Sequence, residues 1–327
     1  MNRILAVIGV VLSSLLAHAT TIFDYPNFSS TAGLTLSGIA TTNGSNLQLT
    51  PSTTFQSGAA YSSNVVTLGA NDAFSTTFQF QFSNPVDNYS DSSPADGIAF
   101  SIYLPSCTTP STCPPTAGFG NGGLGYMQNT TQLSFGVAFV AGQRGVQGES
   151  IVGNHVATLG NYSTTETNVT NPYGVSNCGF GSAYLSPGCM ANGDVWTANI
   201  IYDGSNLTVK LFDPAEGATT TVLNAVPVNI MSDLCSGWPS YQGPCPGTNV
   251  FVGLTGSTGG NAEAQDILSW TLTDGASQGT SAPEPSSALL LAGGLLALAY
   301  RTVSARRIAR WKLCRPVSRN VTDTSVC

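Results

Sequence analysis

Charge is what this sequence has least of: only 8% of its 327 residues are Asp, Glu, Lys or Arg. Basic residues are scarcer still in the long middle of the chain. Eight of the ten lie at the two ends. Between Thr20 and Ala282 only Arg144 and Lys210 stand against fifteen acids, a formal charge of −13. A surface of that sign repels phosphate, which excludes nucleic acid as a partner, and it excludes electrostatic docking on anionic lipid. A neutral partner suits it. Histidine is nearly absent, with His155 alone in that middle region, which argues against a hydrolase triad. No cysteine pair has two-residue spacing or a neighbouring histidine, so metal ligation by cysteine is disfavoured. No glutamate is followed two residues later by aspartate, so the close carboxylate pair of a retaining glycosidase is missing. No apolar run reaches the roughly 20 residues of a full membrane span.

The two longest apolar runs lie at the ends, and both look like addresses. Asn2-Arg3, the run from Ile4 to Ala17, and Ala17-His18-Ala19 before Thr20 form a secretory signal with an Ala-x-Ala cleavage site. The other end reads Pro283-Glu284-Pro285, then Ala288 to Tyr300, then Arg301, Arg306, Arg307 and Arg310. Its 13-residue run is a short membrane helix with a basic stop on the inner side. Pro-Glu-Pro, a Leu/Ala/Gly helix and an arginine cluster resemble the PEP-CTERM sorting tag of Gram-negative bacteria. That resemblance implies an exosortase-type membrane protease as a partner and removal of the tag. Trp311 to Cys327 continue past the point where such tags usually stop. The chain therefore divides into a signal peptide (1–19), one large domain (20–274), a Gly/Ser linker (275–282), the sorting and membrane segment (283–312) and a basic tail (313–327).

The domain alternates apolar and polar residues with period two, as at Phe74, Phe78, Phe80 and Phe82 and again at Leu133, Phe135, Val137 and Phe139. Clusters of Gly, Pro, Asn, Ser and Thr separate such runs, and no amphipathic helix is evident. This is the pattern of an antiparallel β-sandwich. Ser and Thr on the exposed parity keep such a surface soluble with few charges. Six cysteines fall into three close pairs, Cys107/Cys113, Cys178/Cys189 and Cys235/Cys245, each in a loop-like segment. In an exported protein, tight pairs are expected to form local disulfides.

One stretch concentrates the chemistry. In Pro94-Ala95-Asp96-Gly97-Ile98-Ala99-Phe100, Asp96 is the only carboxylate between Asp91 and Glu149, and it stands where a loop turns into a buried strand. A lone carboxylate there can accept charge-assisted hydrogen bonds from a neutral polyol. Downstream run Val250-Phe251-Val252-Gly253-Leu254-Thr255-Gly256-Ser257-Thr258-Gly259-Gly260 and Asp266-Ile267-Leu268-Ser269-Trp270. Together with Gly122-Gly123-Leu124-Gly125-Tyr126 and the hairpin Ile201 to Val209, these stretches resemble, in order, the motifs of the legume-type (L-type) lectins. The resemblance covers roughly Thr21 to Thr273. It implies a concanavalin-like jelly roll that binds a glycan or exopolysaccharide and is not an enzyme.

The resemblance also implies a site. Asp96 takes the position of the family's aspartate, which accepts hydrogen bonds from two adjacent sugar hydroxyls. The glycine loop donates a backbone amide, with Gly123 the first choice and Gly122 the second. Asn261, at the end of the loop before the final strand, is a further candidate contact. Tyr126 and Tyr162 lie in segments suited to carrying the apolar face of a sugar. In metal-bearing relatives the Ala-Asp peptide before glycine is cis, and the same is expected here. The family's metal strand, Val-Glu-Phe-Asp, is replaced by Val137-Ala138-Phe139-Val140. Only Glu149, Asn154 and His155 remain near ligand positions, and calcium needs 6–8 oxygens, several of them anionic. No metal or other cofactor is expected, and His155 is expected to be a leftover loop residue. The alternative function is an exported structural or matrix protein on the same scaffold, without sugar binding.

Overall fold

The computed structural model describes residues 19–68, 73–88, 94–104, 115–120, 122–126, 133–142, 153–160, 165–179, 183–236, 245 and 249–275. The leader, the sorting segment, Cys107, Cys113, Arg144, Glu149 and Tyr162 lie outside the described residues. No helix among the described residues is long and apolar enough to cross a membrane.

Sixteen strands appear among the described residues. They are β1 (Thr21–Tyr25), β2 (Leu34–Gly38), β3 (Thr41–Asn43), β4 (Asn46–Thr50), β5 (Ser57–Ser62), β6 (Val66–Thr67), β7 (Phe74–Val86) and β8 (Gly97–Tyr103). There follow β9 (Ser134–Val140), β10 (His155–Gly160), β11 (Glu166–Thr170), β12 (Val195–Tyr202), β13 (Asn206–Asp213), β14 (Ala218–Pro227), β15 (Asn249–Ser257) and β16 (Ala262–Asp274). One sheet runs β14-β13-β12-β7-β16-β4-β3, with β1 also on β16. The other runs β11-β10-β9-β8-β15-β5-β2, with β6 also on β15. All pairings are antiparallel. The chain is a two-sheet β-sandwich.

The period-two alternation decides the core. Phe74, Phe78, Phe80 and Phe82 all point from β7 into the space between the sheets and are fully buried. Phe139 crosses from the other sheet, edge-on to Phe78 at 5.4 Å between ring centroids and tilted against Phe80 at 5.7 Å. Phe74 meets Phe100 at 5.8 Å in the same way. Trp270 is fully buried and satisfies its indole N–H on the Thr76 hydroxyl at 2.9 Å, the partner a buried tryptophan requires.

Two features depart from the sequence-based expectation. β8 and β9 are buried along their whole length on both faces, because Leu124 and Tyr126 of the glycine loop pack with Ala99, Ala138, Val140 and Leu159 on the second face, while Tyr61 and Phe251 cover Tyr103 at the far end of β8. There is also one short helix, α1 (Ile230–Ser236). Asn229 caps it through the Ser232 N–H at 3.0 Å, and Ile230, Met231 and Leu234 enter the core. At seven residues it is too short for a periodic signal. Two of the three cysteine pairs are joined as expected: Cys178–Cys189, with Cα atoms 5.6 Å apart, and Cys235–Cys245, at 5.7 Å. Cys107/Cys113 falls outside the described residues.

Candidate functional site

Three neighbouring strands end at one level around Asp96. Gly97 opens β8 directly after it, pairing with Ser257 at the end of β15 on one side and with Val140 at the end of β9 on the other. Gly97 has φ +131°, and a Cβ there would stand 2.2 Å from the Phe139 carbonyl, so only glycine lets β8 start against β9. The Ala95–Asp96 peptide is cis, as the family resemblance implies. Asp96 donates its N–H to Ser257 O at 3.1 Å and accepts the Ala141 N–H on its carbonyl at 3.2 Å. The backbone of Asp96 is thus fixed between two strands before any ligand arrives.

The side chain is held as firmly. Oδ2 of Asp96 accepts the Gly122 N–H and the Ser257 hydroxyl, both at 2.7 Å, which are short distances typical of an ionised acceptor. The residue is 1% exposed, so its carboxylate is almost wholly enclosed by these partners. The glycine loop is pinned from beneath by the Thr255 hydroxyl on Leu124 O at 2.7 Å. Within it a Cβ on Gly123 would lie 2.5 Å from Phe119 O, so the loop folds this tightly only with glycine there. Of the two glycines expected to offer an amide to a sugar, Gly122 gives its N–H to Asp96.

The other expected residues occupy different places. Asn261 is 4% exposed, and its Oδ1 accepts the Asn88 N–H at 3.1 Å, so it braces the neighbouring segment. Tyr126 is buried under the glycine loop. Its ring lies against Gly136, and its hydroxyl takes a 2.8 Å hydrogen bond from Ser134; it offers no surface to a sugar. His155 is not a loop residue. It opens β10 opposite Val140, fully buried, with Nε2 2.8 Å from Glu166 Oε1 and Nδ1 2.6 Å from Gly153 O. Asn154 beside it is fully engaged with backbone: its amide donates to Val175 O and Gly188 O and its oxygen accepts from Met190 N–H.

Among the described residues the metal that the fold family implies finds no fitting ligands. Where the family strand carries two carboxylates, Ala138 and Val140 pack with Ala99, Leu124, Tyr126 and Leu159 in a closed apolar cluster. Among the described residues no group of three or more His, Cys, Asp or Glu side chains could hold a metal ion.

A second carboxyl stands behind Asp96. Glu263, the second residue of β16, is fully buried. Gln265 bridges it to the site, donating from Nε2 to Glu263 Oε1 at 3.2 Å and to Ser257 O at 2.8 Å. Glu263 Oε2 has no hydrogen-bond partner among the described residues. Burial first, then the negative charge of Asp96, push its carboxyl up to about 8 against the lowering effect of Gln265. Sequence reasoning passed over it, although a lone acid between two alanines in an inward-facing run was a usable signal. It passed over Ser257 as a partner of Asp96 as well; the register between β8 and β15 is what brings the two together.

A sequence model of the legume lectin domain matches residues 20–287. Agglutinin-2 of Cladrastis kentukea is 28% identical over 199 residues, covering 61% of this chain and 57% of that relative, so the chain spans little more than half the relative's length. Among solved structures, the metal-free form of lectin I-B4 from Griffonia simplicifolia superposes with TM-score 0.56 at 24% identity, covering 76% of this chain and 97% of that one. The lectin from Bauhinia forficata in complex with GalNAc gives 0.53 at 23% identity, covering 78% and 98%. At such identities these structures establish a shared fold.

Proposed function

The chain belongs to the legume lectin domain family, and from that membership we propose that it is an exported, surface-associated carbohydrate-binding protein whose sugar site is centred on Asp96 and needs no bound metal. The observation that carries this reading is the carboxylate of Asp96, clamped by Gly122 N–H and Ser257 Oγ where β8, β9 and β15 end. A sugar needs an acceptor for a pair of adjacent hydroxyls that is already oriented, since orientation fixed in advance reduces the ordering cost of binding. The strand ends and the glycine loop supply it. The glycine loop adds the Gly123 N–H as the donor to the sugar, since the N–H groups of Gly122, Gly125 and Tyr126 are given to Asp96, Phe119 O and Gly123 O. The −13 charge of residues 20–282 favours a neutral glycan or exopolysaccharide over an anionic one.

Metal independence rests on the apolar cluster around Ala138 and Val140 and on the engagement of His155 with Glu166. Export rests on the leader at residues 1–19, and envelope attachment on the Pro-Glu-Pro segment at 283–312, with an exosortase-type protease as its partner. No catalytic role is proposed.

A glycan array probed with the purified protein, in calcium and again in EDTA, tests the reading. Binding that survives EDTA and is lost in Asp96→Ala is the expected result. Loss of one charged hydrogen-bonding partner costs about 1.5–3 kcal/mol, roughly 10- to 150-fold in affinity. No binding to any glycan would favour the structural alternative. Equal binding by the Ala variant would place the site elsewhere.

A further inference from the structure

The rim around Asp96 carries apolar side chains that sugar binding through the carboxylate alone does not use. Among the described residues five large hydrophobic side chains are exposed, and three of them, Ile39, Phe55 and Phe119, sit on segments laced together at this end of the sandwich. Phe55 donates its N–H to Gly259 O at 3.0 Å, while Gln56 exchanges hydrogen bonds with Thr258, N–H to Oγ1 and carbonyl from N–H, both at 2.9 Å. On the other side, a Cβ on Gly120 would stand 3.0 Å from Gln56 O and 3.4 Å from Thr258 O. Phe119 precedes that glycine, and its carbonyl accepts the Gly125 N–H at 3.2 Å. Gly122 of the same loop is the donor to Asp96. Ile39 joins the edge through its N–H on Ser57 O at 2.9 Å.

Two aromatic side chains, 55% and 45% exposed, thus stand on contacting segments that also hold the acidic acceptor in place. Phe55 does so with φ +56°, a backbone that Gly or Asn adopts more readily than an aromatic residue. Isolated exposed hydrophobics need no explanation, but exposed aromatic side chains on segments that frame a buried acceptor mark a contact surface. A pyranose has an edge of hydroxyls and a face of C–H groups, and an aromatic ring beside a carboxylate complements both.

We propose that Phe55 and Phe119 form an apolar subsite beside Asp96 that takes the C–H face of a second sugar ring, so that the ligand is an oligosaccharide or polysaccharide rather than a single sugar. The proposal rests on the sugar-binding role of Asp96 argued above. Asp96 holds one ring by its hydroxyls, and the aromatic rim holds the ring linked to it.

The test uses galactose, glucose, mannose, N-acetylgalactosamine and N-acetylglucosamine, each immobilised singly and as linked di- to tetrasaccharides. The parent protein is compared with Phe55→Ala, Phe119→Ala, Phe119→Tyr and Asp96→Ala. The parent is expected to bind an oligosaccharide at least tenfold tighter than its terminal monosaccharide. Each alanine variant should lose about tenfold on the oligosaccharide, the usual effect of truncating an aromatic anchor. Neither should change monosaccharide binding or the melting temperature. Phe119→Tyr should retain the preference, and Asp96→Ala should lose both ligands. If the parent binds and both alanine variants keep the oligosaccharide preference, the subsite is overturned while the sugar-binding role stands. Variants that bind normally but abolish self-association would assign the rim to a second copy of the chain instead. A parent that binds none of the panel overturns both proposals.

Discussion

Replacing Glu263 with Gln should change how the stability of this protein depends on pH, and the structure fixes both sign and size. The Glu263 carboxyl is fully buried, with Oε2 unpartnered among the described residues and Asp96 close enough to add to the penalty on its ionised form. Its pKa rises from the ordinary 4.5 to about 8. Between those values the folded protein keeps a proton that the unfolded chain has already released, so stability falls as pH rises. The slope is about 1.36 kcal/mol per pH unit, and the whole interval amounts to ~5 kcal/mol. The favourable contribution of the neutral acid is complete below pH 4.5 and gone above about 8. Glutamine keeps the shape and an oxygen for Gln265 but cannot ionise. Urea titrations of parent and Glu263→Gln from pH 4.5 to 9 should therefore start close together and diverge. Near pH 8.5 the variant should be more stable by about 3–5 kcal/mol. Asp194 and Asp266 are also raised, chiefly by burial, but their effects cancel in the difference between the two proteins. Parallel pH profiles would refute the reasoning, for they would mean that Glu263 is ionised in the folded state at neutral pH.

Adding EDTA should leave the melting temperature unchanged, because an apolar cluster fills the place of the family's metal ligands; a fall in differential scanning fluorimetry would overturn this. Replacing Cys178 and Cys189 together by Ser should cost about 2–3 kcal/mol in urea unfolding, the chain-entropy effect expected for so short a loop; no change would mean that the bridge is absent in solution. Cell fractionation should place the chain outside the cytoplasm, associated with the envelope. Full-length chain found soluble in the cytoplasm would end the reading of residues 1–19 and 283–312 as addresses.

Much of the fold was legible in the sequence because period-two patterning acts locally. Phe74, Phe78, Phe80 and Phe82 lie on one face of a strand by geometry alone, and that face must be buried. Asp96 was legible for a related reason: an acid followed by glycine before an apolar strand stands out in a chain with so few charges. The two bridged cysteine pairs were legible from spacing. Composition alone shows that the domain bears almost no positive charge, and that restricts its partners whatever the fold.

Contacts between residues distant in the chain came from the folded arrangement instead. Ser257 reaches Asp96 across 161 positions, and that meeting depends on the register of β15 against β8, which no local pattern encodes. Tyr126 sits in a loop that ought to be exposed, yet it is buried because the loop folds back over β8 and β9. His155 resembles a remnant of a lost metal site in sequence, but β11 brings Glu166 against it at 2.8 Å. Glu263 is polar in sequence, but the packing of the two sheets places it behind Asp96 and removes it from water. In each case the residue type was plain from the sequence, whereas its environment was set by which strand lies across from it. Register and loop closure are cooperative properties of the whole sandwich.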